Sequence, residues 1–454
     1  MQKLLTKLKL SSAFQNIIKI SSGTILGQVV SFITVPIFTR IYGASILGFW
    51  AFLNTVTFIV NSFSDLGMTQ SIMVAENEEQ MSQNYRVVST ASLLFSILAG
   101  GGAFACYSFF PQKEVPMQAW FIGCFIFVAV FTYQQVQVCY TWLNRTGRYQ
   151  VLMKNPVINN AAFGIIGIGL GLLGMRHYGY FIGWITGQIV TLIHMRPYVP
   201  HRMFTLSKSN FHKTFQRNKR FLKYQLPSNV FNTLKGELPT ILIQAFFGVK
   251  ILGYYSITVR LVNIPINFLA KAVGRVFFQT VTDMQRKGRE IGPFVHKNIL
   301  RVLKIGAVPV FLTLCFGDIV INLFLGPGWQ VSGAMIRILS FQFYLLFLVM
   351  SINGLAITLQ KQKYDMVYYT FQLITNIASL CVGRWLLGNI IAGVAMMSAA
   401  FVVTTVVYLY MLLKALSIPA KSFFIKLSVY SLVIICAYAA TRMALLQWKL
   451  VPGM

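Results

Sequence analysis

Acidic residues are scarce in this chain. Ten Asp and Glu stand against 39 Lys and Arg among 454 residues, and charged side chains make up only 11% of the sequence. An ordinary soluble domain carries about 25% charged residues, so a water-soluble globular protein of this length is excluded. Cysteine is sparse too: Cys106, Cys124, Cys139, Cys315, Cys381 and Cys436 are scattered through apolar segments, with no CxxC pair and no histidine cluster beside them. That excludes a disulfide scaffold and a structural zinc site. GxSxG, HExxH and GxxxxGK[ST] sequences are absent, as is any paired-carboxylate constellation. Nothing argues for an enzyme, and no catalytic residue, cofactor or metal is expected.

Apolar sequence is what the chain has in quantity. It is 56% apolar with a mean hydropathy of +0.65, and runs of over 20 apolar residues recur from end to end. Each run can cross about 30 Å of hydrocarbon as a helix, which predicts an all-α polytopic membrane protein. The runs fall near 17–39, 46–67, 87–110, 117–141, 153–174, 178–195, 222–247, 251–279, 298–325, 331–358, 366–388, 390–413 and 424–447, thirteen in all. The first lacks a small-residue cleavage site and is expected to be a retained helix.

In a soluble chain the formal net charge of +29 would suggest a nucleic-acid partner. Its distribution argues otherwise. With the N-terminus inside, 27 of the 39 basic residues fall in cytoplasmic segments, eight of them between Arg196 and Lys223. The opposite face holds Arg40, Lys113, Arg176, Lys250, Arg384, Arg442 and Lys449. This is the positive-inside asymmetry, so most of the charge is a topology signal. Lys421 and Lys426 before the last run, with Trp448 and Lys449 after it, predict an outer C-terminus.

Two segments match at a constant offset of 205: YGASILGFWA from Tyr42 and FGVKILGYYS from Phe247. LNRTGRYQVL near Arg148 likewise recurs as LQKQKYDMVY near Lys363, each followed by a span and a Gly-containing hairpin. The pattern predicts two six-helix bundles related by a pseudo-two-fold along the membrane normal, plus one extra C-terminal helix. The expected divisions are 1–200, a basic amphipathic linker over 201–223, 224–415, and the additional helix over 416–454. In the linker, Phe204, Phe211, Phe215 and Leu222 recur at helical intervals among basic residues, the pattern of an interfacial helix.

Polar residues inside the spans single out candidate binding positions. At about 100° per residue, Arg260, Asn263, Asn267, Lys271, Gly274 and Arg275 share one face of the eighth run, and Asn54, Thr57, Asn61, Asp65 and Thr69 share one face of the second. Aligned intramembrane cations require water or an anion beside them; Lys271 and Arg275 have snorkelling to the inner edge as their alternative. The acids Asp65 and Glu237 are the candidates for ion coupling, with a solvated helix end as the alternative for Asp65. Helix one groups Asn16, Lys19, Gly23, Gly27, Ser31 and Thr34, a pattern that also suits plain helix packing. In the seventh run Lys235, Gly236, Glu237 and Pro239 are adjacent; proline removes a backbone donor and crowds the Lys235 carbonyl, so a hinge at Gly236 and Pro239 is expected. Tyr133, Gln134 and Gln137 in the fourth run offer amides and an aromatic face suited to sugars.

The stretch from Gly23 to Gly67 carries Pro36, Thr39, Arg40, Tyr42 and Gly43 as P-x-x-T-R-x-Y-G, then Gly48 and an aromatic. It resembles the oligosaccharide flippases of the multidrug, oligosaccharidyl-lipid and polysaccharide exporter superfamily. The resemblance implies two six-helix bundles around a cationic lumen, in a bacterial cytoplasmic membrane. It implies alternating access that moves an undecaprenyl-diphosphate-linked sugar repeat unit to the outer leaflet, for O-antigen, capsule or exopolysaccharide. The implied partners are the lipid-linked oligosaccharide, membrane lipids, and polysaccharide polymerase and chain-length machinery, with no nucleic acid. On this reading Arg260, Lys235, Arg40 and Lys271 attract the diphosphate, and Asn263, Asn267, Asn61, Gln134, Gln137 and Tyr133 accommodate sugars. The alternative is an ion-coupled small-molecule exporter of the same superfamily. Against it, the intramembrane basics Lys235, Arg260, Lys271, Arg275 and Arg337 outnumber the acids Asp65, Glu237 and Asp318.

Overall fold

In a computed structural model, residues 12–205 and 207–447 are described, with side chains from residue 22 onward except at 208, 265, 267–269, 271, 272, 275, 445 and 446. Lys3, Lys7, Lys9, Trp448 and Lys449 lie outside the described residues, as do the side chains of Asn16, Lys19, Asn267, Lys271 and Arg275. The described chain is helical throughout, with no strand among the described residues. The helices are α1 Ser12–Ser64, α2 Glu78–Phe109, α3 Ala119–Arg145, α4 Tyr149–Leu172, α5 Gly179–Met195 and α6 Lys208–Arg217. They continue as α7 Leu226–Phe247, α8 Val249–Arg286, α9 Gly292–Leu325, α10 Gln330–Ser351, the single turn α11 Leu355–Thr358, α12 Gln362–Trp385, α13 Ile390–Ala415 and α14 Ala420–Gln447.

Every expected apolar run is covered by a helix. Nine helices among the described residues are long and apolar enough to span a membrane. One of them, α1, comprises two runs: from Ser22 to Ser64 it has 43 residues, roughly 65 Å at about 1.5 Å per residue, twice a bilayer core. It breaks at Gly43, whose φ of 72° and ψ of 176° are accessible in practice only to glycine. The repeat predicts an identical corner 205 residues on, and Gly248 (φ 86°, ψ 173°) separates α7 from α8. α7 is long enough to span but too polar to count among the nine, because it carries Lys235 and Glu237.

The chain forms two compact units, Met1–Ile241 and Leu242–Met454. In the first, α2 pairs with α3, α4 with α5, and α3 contacts both α1 and α5. The second repeats this order: α9 pairs with α10, α12 with α13, and α10 contacts α8 and α13. Matching glycines close the hairpins. A Cβ on Gly183 would lie 2.7 Å from the Gly167 backbone, and one on Gly383 would lie 2.5 Å from that of Gly393, so the helix backbones touch there. α14 has no counterpart in the first unit; it packs on α9 and, less extensively, on α13.

The P-x-x-T-R-x-Y-G motif makes the corner of unit 1. The Thr39 hydroxyl donates to the Pro36 carbonyl (3.1 Å) one turn back. The Tyr42 hydroxyl donates to the Gly167 carbonyl of α4, and its ring meets Tyr180 edge-on at 5.3 Å within a buried aromatic cluster that includes Phe38 and Phe163. Helix one's small-residue stripe is packing surface: a Cβ on Gly23 would fall 1.8 Å from the Met153 carbonyl oxygen of α4.

The linker departs from a purely interfacial helix. α6 spans only ten residues, capped by the Ser207 hydroxyl. Phe211, Phe221 and Leu222 pack onto the core formed by Met68, Tyr85, Val138 and Leu143, and buried Asn218 donates to Asn84 (3.0 Å). Phe215, one turn from Phe211, stays exposed. The helical spacing was right, but one end of that face is taken up by unit 1.

Candidate functional site

In unit 1 the polar face of α1 meets the Lys235–Pro239 segment of α7. Thr55, only 2% exposed, donates its hydroxyl to the Glu237 carboxylate. Tyr133 of α3 lies within electrostatic reach of the same carboxylate, and its ring packs on Phe58 of α1 (5.1 Å between centroids). The Asn54 carbonyl oxygen, beside Thr55, is buried with no hydrogen-bond partner. Three helices thus contribute a carboxylate, a hydroxyl and a phenol to one region. Glu237 and Tyr133 are both half-buried, so the region retains access. Lys235, half-buried two residues away, also engages another group of the protein. Glu237 and Lys235 are two residues apart and so point to different faces of the helix.

α7 runs unbroken through Pro239 from Leu226 to Phe247, so the segment is helical where a break was an option. A side chain at Gly236 would meet nothing within 4 Å, so packing does not demand glycine there.

Several sequence candidates make hydrogen bonds within unit 1. Asp65 is buried at the end of α1, where its carboxylate accepts from the backbone amides of Gly67 (2.8 Å) and Thr69 (3.2 Å). Gln134 donates to the Thr69 hydroxyl (3.0 Å), tying α3 to that turn. Asn61 donates to the Thr57 carbonyl one turn back (3.0 Å) and accepts from Ser64. Gln137 is exposed, and Arg40 is exposed with its guanidinium reaching the Pro36 carbonyl (3.4 Å).

In unit 2, Arg260 and Asn263 are both half-buried on α8, and Arg260 engages another group of the protein. Arg442 corrects the sequence-based count. Placed among the outer flanking basics, it is 3% exposed within α14 and holds Asp318 with a 2.7 Å ion pair. Arg442 thus adds a buried basic residue to those singled out from the sequence. Thr55, Phe58 and Arg442 were missed as site or network members because their partners lie 182, 75 and 124 residues away; no local spacing encodes such pairings.

The Polysaccharide biosynthesis protein family profile matches residues 37–334, from the α1 corner into α10. The chain belongs to that family. It is 21% identical over 365 residues to the teichuronic acid biosynthesis protein TuaB of Bacillus subtilis, covering 72% of each chain. It is 22% identical over 258 residues to the succinoglycan biosynthesis transport protein ExoT of Rhizobium meliloti, covering 56% of this chain and 51% of that one. In fold it resembles the lipid II flippase MurJ in an inward closed conformation, with a TM-score of 0.71, 11% identity, and coverage of 96% of this chain and 100% of that one. An inward-facing multidrug-resistance MATE transporter of the MOP superfamily follows with a TM-score of 0.60, 15% identity, and coverage of 88% and 99%. The family member described here is thus a multi-pass membrane protein with a transporter fold.

Proposed function

We propose that this polysaccharide biosynthesis protein is a flippase. It moves an undecaprenyl-diphosphate-linked oligosaccharide repeat unit across the bacterial cytoplasmic membrane by alternating access, without covalent chemistry. The observation that carries the reading is the sign of the charge inside the spans. The basics Lys235, Arg260, Lys271, Arg275 and Arg337 outnumber the acids Asp65, Glu237 and Asp318, and two of those acids are already engaged, Asp65 by backbone amides and Asp318 by Arg442. Cations held at membrane depth suit an anionic ligand, and a diphosphate joining lipid to sugar is such an anion. Lys235, Arg260 and Lys271 attract it, and Asn263, Asn267 and Tyr133 accommodate the sugars. The N-terminus and the 201–223 linker are cytoplasmic, and polysaccharide polymerase and chain-length machinery act on the product outside.

Depletion of the protein is expected to accumulate lipid-linked repeat units in the inner leaflet, detected by mass spectrometry of extracted lipids; unchanged levels with normal surface polysaccharide refute the reading. Arg260→Lys should retain part of the export and Arg260→Ala should lose most of it, because only arginine can fork onto two phosphate oxygens while lysine keeps the charge. The ion-coupled exporter reading has one observation in its favour, the half-buried Glu237 carboxylate among Thr55 and Tyr133. It requires that Glu237→Gln abolish drug efflux while leaving lipid-linked intermediates at normal levels.

A further inference from the structure

α9, α10 and α14 meet at an ion cluster to which the transport reading assigns no contact with the substrate. Arg442 of α14 forks onto Asp318 of α9, with Nη2 2.7 Å from Oδ2 and Nη1 3.1 Å from Oδ1, and Nη1 also reaches the Cys315 carbonyl at 3.4 Å. This bidentate geometry is how one guanidinium and one carboxylate neutralise each other. Arg337 of α10 approaches the same carboxylate only at 3.5 Å. It donates to the Tyr438 hydroxyl, and its guanidinium lies 5.4 Å from the centre of that ring.

The remaining acids of unit 2 are occupied elsewhere: Asp283 and Glu290 are exposed around the α8–α9 turn, and Asp365 accepts from Tyr408. The cluster therefore holds two cations and one anion. The Nε atoms of both Arg337 and Arg442 are buried without a hydrogen-bond partner, so the donors exceed the acceptors available. The Arg337 side chain is still 23% accessible. Asp318 lies seven residues from the end of α9 and Arg337 seven from the start of α10, about 10 Å from the shared helix ends, within snorkelling reach of a headgroup layer. Exposed apolar residues flank it, Val320 and Leu323 on α9 and Ile435 and Met443 on α14.

We propose that Arg337 is the receptor for a phosphate oxyanion, that of a bilayer phospholipid, and that the Arg442–Asp318 pair is the rigid frame that presents it. The charge imbalance calls for an oxyanion, and the apolar flanks select one that comes with acyl chains. This site is independent of the transported substrate and stands or falls separately from the flippase reading.

The test uses the full-length protein, purified and delipidated in detergent, and native mass spectrometry with three probes: phosphatidylglycerol, diacylglycerol and inorganic phosphate. Wild type should retain phosphatidylglycerol and not diacylglycerol. Arg337→Gln should bind phosphatidylglycerol about tenfold more weakly, as expected for loss of a charge-assisted contact. Arg337→Lys should fall between them, and serves as the comparison should Arg337→Gln fail to elute as a single species. Equal retention by wild type and either variant overturns the proposal, as does equal retention of diacylglycerol. Displacement of the lipid by millimolar inorganic phosphate overturns the lipid source and assigns the site to a free ion.

Discussion

Replacing Thr55 by Val keeps the β-branched shape at a site with almost no exposed surface and removes the hydroxyl that Glu237 accepts from. A hydrogen bond to a charged group contributes about 1.5–3 kcal/mol. Glu237 is only half-buried, so water can replace part of the lost bond, and the lower end, about 1.5 kcal/mol, is the expected destabilisation. Glu237→Gln keeps an acceptor but loses the charge, leaving a neutral bond at the low end of its range, about 0.5 kcal/mol. The double variant should then lose less than the sum of the two, by about 1 kcal/mol, since the second change acts on a bond already gone. The assay is reversible unfolding of the bicelle-reconstituted protein by added sodium dodecyl sulfate, for wild type, both single variants and the double. Additivity within about 0.3–0.5 kcal/mol would refute the pairing of α1 with α7 through these side chains.

Gly43→Ala and Gly248→Ala should each destabilise by about 1–3 kcal/mol, because both residues hold a positive φ with extended ψ; a silent Gly248→Ala in the same unfolding assay would break the equivalence of the two corners. Ser209→Cys in the basic linker should resist an impermeant thiol reagent in intact cells and react after permeabilisation, and labelling from outside would invert the proposed orientation. Pro239→Ala restores a backbone donor within α7; it should insert normally yet slow export, and unaltered surface polysaccharide at low expression would remove the proline from the transport movement.

The helices and their repetition were legible in the sequence because both follow from local physics. An apolar run of about 20 residues has few options in a bilayer other than a helix, and the match of 42–51 to 247–256 marked a repeat; that its Gly43 and Gly248 sit at bends emerged only in the fold. The polar faces of the second and eighth runs were expected from helical spacing; in the fold Asp65 and Thr69 lie beyond the end of α1, and the side chains of Asn267, Lys271 and Arg275 lie outside the described residues.

Tertiary structure decided what those faces do. Asp65 and Gln134 matched the pattern of a binding face, and in the fold each is bound to the turn after α1: the Asp65 carboxylate accepts from the Gly67 and Thr69 backbone amides, and Gln134 donates to the Thr69 hydroxyl. Glu237 acquired Thr55, and Arg442 moved from an outer flank to a buried pair with Asp318. Hydropathy and spacing act over one or two turns of chain, whereas those partners are more than 120 residues apart. Their meeting depends on which helices pack together, and that is set by shape and close glycine contacts, which only the folded chain brings into register.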